Sequence, residues 1–422
     1  MHRILSIVIA TFGCLCHLEA QIATSSPYSR FGLGELQQNI FPQFNAFGGA
    51  SIAYSGSSSV NPTNPATYTY FAANSFLLST GGWHQTTEMQ NSSAKQILNN
   101  NSFSHLILGF PLSRKIGASF GMLPFSSTGY EMNANLVEIE DIYHQATANY
   151  YGDGGLSKIY FGGAYELLSG FSVGINASYL FGGLNRRKKL IYNDASFFNS
   201  RSNSRINLKG YYYELGLLYK KRLNDNDEFS IGITANNNSL IRSKKTELVE
   251  SFEFSGLLEI PKDTFVNATH WGDVTLPQYI SAGFSYNKDR RWLFIADYAY
   301  QDWAGYSMFN ESDNLTNSMK ICGGIQYTPE YNSITKYYKR MDYRFGVSYQ
   351  KTPLHFEENN LNEISLSFGF GIPVRKSRTK YDFSCIIGKR GTTDDNLIQE
   401  QFVRLGLSVS YDGIWFVKRK YD

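Results

Sequence analysis

Apolar and polar side chains alternate with a period of two in segment after segment of this chain. Phe171, Val173, Ile175, Ala177, Tyr179 and Phe181 alternate with Ser172, Gly174, Asn176, Ser178, Leu180 and Gly182. Tyr343, Phe345, Val347 and Tyr349 stand against Arg344, Gly346, Ser348 and Gln350, and Val403, Leu405, Leu407 and Val409 against Arg404, Gly406, Ser408 and Ser410. A strand turns successive side chains to opposite faces, so each segment has one apolar wall and one polar or small wall. About ten such segments of about ten residues each, with no helical periodicity between them, exceed what a soluble sandwich needs. They match a membrane-spanning β-barrel, where lipid must see apolar atoms and the lumen need not.

Composition points the same way. Aromatic residues make up 15% of the chain, with 30 Tyr and 30 Phe, yet hydrophobic residues reach only 42%. Aromatic girdles at two bilayer interfaces and strands that are half polar produce that pairing. Beyond the N-terminus there is no run of about 18 apolar residues, which excludes helical spans. The net charge of +3 is small and spread out, and implies no nucleic-acid partner.

Arg3, the apolar run Ile4 to Phe12 and then Leu18-Glu19-Ala20 read as a secretory signal peptide over 1–20, cut after Ala20 to leave Gln21 first. A lipidated Cys14 or Cys16 is the alternative, although Thr11-Phe12-Gly13 is a poor lipobox before Cys14. Export followed by barrel insertion means the outer membrane. The mature chain keeps Cys322 and Cys385, which the alternation turns to opposite faces, one to the lumen and one to lipid, so they are not expected to pair.

The pattern predicts an all-β fold, a fourteen-stranded antiparallel barrel, with strands at 73–85, 102–110, 115–129, 155–166, 170–182, 206–221, 227–240, 276–286, 291–303, 317–328, 340–350, 361–371, 379–388 and 400–410. An even count puts both ends on one side, the periplasm. Short turns at 111–114, 167–169, 222–226 and 287–290 then alternate with long outer loops at 86–101, 130–154, 183–205, 241–275 and 304–316. The barrel is expected over 73–410, with a periplasmic tail at 411–422. Residues 21–72 precede it. They are rich in Gly, Ser, Asn and Pro, but Phe41, Phe44, Phe47, Ile52, Tyr54, Tyr68 and Phe71 are too apolar for a solvated arm, and a plug inside the barrel is expected. Lumen-facing positions, mostly Ser, Gly, Thr and Asn, leave room for one.

Within strand 115–129, Pro124 has no N–H to donate to a ladder, and Gly121 and Gly129 flank it. This marks either a break in the wall or a barrel corner. Other motifs carry less. Gly117-Ala118-Ser119-Phe120-Gly121 matches the serine-hydrolase elbow, but no helix pattern follows it. The His and Cys residues lack metal-ligand spacing, so neither a metal nor a cofactor is expected. Arg186-Arg187-Lys188-Lys189 reads as a solvated charge run or a contact for anionic lipopolysaccharide.

Three stretches together resemble the FadL/TodX family of outer-membrane transporters for hydrophobic compounds, in its Bacteroidota branch. They are Phe47-Gly48-Gly49-Ala50-Ser51-Ile52-Ala53 leading to Asn64-Pro65-Ala66, then Gly121-Met122-Leu123-Pro124-Phe125-Ser126-Ser127-Thr128-Gly129-Tyr130, and Trp415-Phe416-Val417-Lys418-Arg419-Lys420-Tyr421. Tyr28-Ser29-Arg30-Phe31-Gly32-Leu33-Gly34 is also typical of that branch. The resemblance implies that the first stretch is the hatch, with Gly48, Gly49, Asn64, Pro65 and Ala66. It also implies that Gly121, Pro124, Phe125 and Gly129 form a lateral gate in a kinked third strand. Function then divides. One reading is passive uptake of a hydrophobic, long-chain fatty acid-like small molecule that leaves sideways through the gate, driven by burial of apolar surface. The other is a non-transporting subunit of an outer-membrane machine for barrel assembly or protein secretion, docked to other outer-membrane proteins. In both, lipid and lipopolysaccharide surround the wall and no enzymatic chemistry is implied.

Overall fold

The computed structural model describes residues 24–37, 41–92, 94–136, 146–194, 196–356, 359–375 and 377–414. The expected signal peptide, the Gln21 terminus and the stretch Trp415 to Tyr421 lie outside them. A short strand β1 (Glu35–Leu36) comes first. The wall follows as β2 (Ser75–Gln90), β3 (Lys95–Pro111), β4 (Ile116–Leu136), β5 (Ala146–Leu168), β6 (Phe171–Tyr192), β7 (Asn199–Arg222), β8 (Glu228–Asn236), β9 (Leu240–Ser255), β10 (Leu258–Thr275), β11 (Tyr279–Lys288), β12 (Trp292–Gln301), β13 (Ser307–Met308), β14 (Ser318–Tyr327), β15 (Asp342–Phe356), β16 (Asn359–Pro373), β17 (Lys380–Arg390) and β18 (Gln399–Ile414).

Neighbours in sequence pair antiparallel, and β18 closes the ring on β2 from Gln399↔Gln90 to Ile414↔Ser75. β8 and β9 lie end to end, each pairing with β7, and β10 and β11 continue one another in the same way. With each of those pairs taken as one strand, and β1 and β13 set aside, the barrel has fourteen strands. The stretches expected as outer loops at 86–101, 183–205 and 241–275 are largely strand, with β9 and β10 standing as a tall hairpin. There the wall rises beyond lipid, both faces meet water, and the period-two contrast that marks a spanning strand disappears.

Inside the belt the alternation resolves as lipid and lumen. Phe120, Phe161, Ile175, Leu215, Phe345 and Leu405 are exposed on the outer face, while Ser119, Ser172, Asn176, Ser367 and Ser408 are buried within. Cys322 is buried, and Cys385 is half-buried in the outward row between Phe368 and Leu405; both are free thiols. Residues ahead of β2 fill the lumen as a plug. Phe41, Phe44, Phe47, Val60, Tyr68 and Phe71 pack against Leu77, Ile107, Leu123 and Tyr160 of the wall. Nearer the hairpin end, Tyr28 and Leu33 pack with Leu156, Leu180, Leu184 and Leu208.

Candidate functional site

The plug's turns are built from a few local rules. Pro42 starts a single helical turn, Pro42–Asn45, and the chain reverses through Gly48 and Gly49 at φ 70° and 95°. Only glycine takes such angles without strain. The turn pushes Phe47, fully buried, under the guanidinium of Arg344, 5.3 Å from the ring centre. Gly48 N–H donates to Ser367 Oγ at 2.9 Å. On the opposite wall, Asn64 caps the short helix Pro65–Tyr70, its Oδ1 accepting Ala66 N–H at 3.1 Å, with Pro65 at the position where a missing N–H costs nothing. Its Nδ2 donates to Ile52 O at 2.8 Å and to Leu217 O of β7 at 3.1 Å. Asn64 therefore starts a helix, joins two limbs of the plug and ties both to the barrel. Asp297 of β12 accepts Ser51 and Ile52 N–H at 2.6 and 2.9 Å.

Nearer the hairpin end the plug is fixed by charge. Glu35 accepts from Arg390 of β17 at 2.7 Å, and the same guanidinium reaches Glu363 at 2.6 Å and Glu400 at 3.3 Å. Ser26 donates to Glu400, and Arg186 donates to Gly32 O at 2.9 Å. Burial alone raises the pKa of Glu35, but the neighbouring Arg390 and Arg404 outweigh it and hold the carboxyl at about 2. Because the folded value lies below the ordinary 4.5, this anchorage is complete above that pH and is lost as pH falls through about 2. Pepsin digestion of the folded barrel down an acid pH series is expected to leave the plug intact until that window; cleavage already at pH 4.5 refutes the anchorage.

The wall opens beside this latch. β3 and β4 pair only from Pro111↔Gly117 to Leu106↔Met122, and then diverge. The register on the β5 side slips between Pro124 and Ser126, which leaves Phe125 as the extra residue of a bulge. Beyond it, β4 bends inward and the plug takes the place of β3. Gln37 N–H donates to Phe125 O at 2.9 Å, β1 pairs with Ser126 and Ser127, and Ser29 Oγ bonds both N–H and C=O of Gly129 at 3.0 Å. A 350 Å³ cleft lies between the parted edges, lined by Pro27, Met89, Leu98, Tyr130 and Met132. Behind the bulge, Gly49, Leu36, Phe41, Pro124, Phe125 and Tyr212 line a 140 Å³ chamber that also contains the 2.8 Å Lys158–Glu214 ion pair.

The sequence-predicted residues thus fall in three places. Gly48 and Gly49 face β15 and the chamber, Asn64 to Ala66 sit against β6 and β7, and Pro124, Phe125 and Gly129 border the parted seam. Gly121 lies below the seam, still paired with Ile107. Sequence reasoning missed the charged interior, including Arg390 with its three carboxylates and Arg344 with Asp342 and Asp382 at 3.1 and 2.6 Å. It also missed the purpose of the wall glycines. A Cβ on Gly216 would lie 2.2 Å from Asn64 Oδ1, and one on Gly346 2.2 Å from Gly48 N. Their signal was the recurrence of Gly at lumen-facing positions. Ser119 sits mid-strand, donating to Leu108 O at 2.8 Å. The basic run lies within β6 and is engaged: Arg187 over Tyr151, Lys188 over Tyr150, Lys189 on Glu259.

A family model described as BamG matches residues 1–422. No curated protein matches. Among solved structures, the CymD monoaromatic hydrocarbon channel superposes with a TM-score of 0.57 at 15% identity, covering 91% of this chain and 99% of that one. The Ralstonia pickettii toluene transporter TbuX gives 0.57 at 15%, over 89% and 99%. A Pseudomonas aeruginosa FadL homologue gives 0.57 at 10%, over 88% and 97%. At such identities the likeness is one of fold.

Proposed function

The chain belongs to the BamG family and is an outer-membrane β-barrel of the FadL-like type, and from that premise we propose that it is a non-transporting subunit of a barrel-assembly machine. The family's name carries the prefix of such machines. The observation that carries the reading is the buried latch of Glu35, Arg390, Glu363 and Glu400. Opening the lumen means parting buried charges, at roughly 3–5 kcal/mol for one broken partner. A carrier of apolar cargo that had to do so at every passage would work against its own interior. Among the described residues, charged side chains line both inner chambers, Glu35, Arg390 and Arg404 in one and Lys158, Glu214 and Asp297 in the other.

The parted seam supports a second reading, in which a hydrophobic compound like those in the titles of the solved neighbours leaves sideways beside Pro124 and Phe125. Two measurements separate the readings. Depleting the chain is expected to lower several unrelated outer-membrane barrels at least several-fold, and the chain is expected to co-purify with the assembly machine's core barrel. Pro124→Val, which restores a ladder donor, is expected to leave uptake of a labelled fatty acid unchanged. A fall in uptake with unaltered barrel levels overturns the subunit reading in favour of transport.

A further inference from the structure

The β9–β10 hairpin carries a surface that neither the lumen nor lipid explains. β9 pairs with β10 along its length, from Leu240↔Thr275 to Ser255↔Leu258. The other edge of β10 pairs only at Val274 and Thr275, with Met308 and Ser307. Among the described residues, the backbone from Leu258 to Trp271 has no strand beside it on that edge. A long, free, exposed edge is a template for another strand, and proteins normally blunt such edges. Here the upper part is blunted by Pro261 and by register slips at Pro261/Asp263 and Thr264/Val266, whereas Val266 to Asp273 runs regularly. The one stretch left unprotected is therefore confined to a short, defined register.

Height and charge identify what fits there. Arg242 stacks on Trp271, 5.6 Å from the ring centre. From Trp271 to the tip is a rise of roughly 40 Å along the strand at about 3.3 Å per residue. Above it, every residue from Pro261 to Asn267 is exposed, on both faces of the strand. Leu257 is 101% exposed, Leu258 72%, Phe265 64% and Phe254 47%. Ion pairs lie among them: Lys262 with Glu253, and Glu259 with Lys189 and Arg201, the latter also bound to Glu250. The free stretch Val266 to Trp271 carries no Lys, Arg, Asp or Glu, and so is complementary to an uncharged apolar segment, not to a polyanion or a basic tail.

We propose that the free edge of β10 at Val266–Trp271 takes up an extended, uncharged strand from another protein at the hairpin end of the barrel, the end that short turns at the opposite rim assign to the cell exterior. Backbone hydrogen bonds set the register, and the exposed Phe265 and Trp271 at the two ends of the stretch receive the apolar side chains. The identity of the partner as a machine component rests on the subunit reading; the strand-addition site does not.

The test uses the full chain in native membranes. A photo-crosslinking residue is placed in turn at Asn267, Ala268, Thr269 and His270. The expected result is attachment to one surface protein, with the mapped points advancing residue by residue along a single segment. Attachment to lipid or lipopolysaccharide, to a second copy of this chain, or to nothing overturns the proposal. Asn267→Pro and Ala268→Pro give an independent arm. Neighbouring N–H groups point to opposite edges, so one of the two substitutions removes a donor from the free edge and leaves the β9 ladder intact. That variant is expected to cut crosslinking from Thr269 at least tenfold at unchanged heat stability; retention in both variants overturns the site. If depletion still lowers barrel levels while β10 captures no strand, the surface fails and the subunit reading stands. Captured strand with unchanged barrel levels gives the reverse.

Discussion

Replacing Arg390 with Met is expected to free the plug from a barrel that still forms. Met preserves the length and apolar stem of the arginine but leaves the buried Glu400 and the half-buried Glu35 and Glu363, all held to it within 3.3 Å, without their bridging cation, Arg404 alone remaining near Glu35. Breaking a buried ion pair by deleting one partner costs about 3–5 kcal/mol, because the surviving charge is stranded away from water. The temperature at which the folded, fast-migrating gel band is lost is expected to fall clearly, and a protease is expected to cut around Glu35. Adding Glu35→Gln and Glu363→Gln to the same variant removes stranded charge and is expected to recover part of the loss. Unchanged heat stability with a protected plug refutes the latch and removes the main support for a sealed lumen.

Gly48→Val is expected to have the second-largest effect, through backbone geometry instead of charge. At φ 70° a β-branched side chain is strained by about 1–2 kcal/mol. Its Cβ would also lie 2.3 Å from Val347 O of β15, a backbone atom that cannot turn aside. Overpacking of this kind adds about 1–3 kcal/mol, so a total of roughly 3 kcal/mol or more is expected. The loss concerns seating of the plug, not the sheet. Circular dichroism is expected to stay β while the plug becomes protease-sensitive and Phe47 leaves the face of Arg344. A normally protected plug in Gly48→Val overturns this account of the turn.

Much of this architecture is legible in the chain because the bilayer imposes a simple code. The alternation from Phe171 to Phe181 gives faces, and Pro124 marks where a ladder ends. Asn64, Pro65 and Ala66 stand out only through the family resemblance, and the helix start they form is seen first in the structure. What stays hidden depends on closing the ring. Arg390 and Glu35 are far apart in sequence, and nothing near either one announces the other; the register of the wall against the plug brings them together. Likewise Gly216 reads as a small inward residue, but only the path of Asn64 explains why a methyl group cannot be tolerated there. The β9–β10 hairpin escaped pattern reading because water on both faces removes the contrast that the pattern measures. The candidate gate and hatch were located as stretches, yet their division among three sites was not visible.

The position of the plug ties it to the closure of the wall. It lies N-terminal to β2, and the wall around it is completed when the last strand, β18, meets β2. The pairing that shuts the ring is therefore also the one that completes the enclosure around the plug. β18 itself carries Glu400, which binds both Ser26 and Arg390. One strand thus both completes the wall and completes the plug's anchorage, so closing the ring and holding its contents are linked through the single side chain of Glu400.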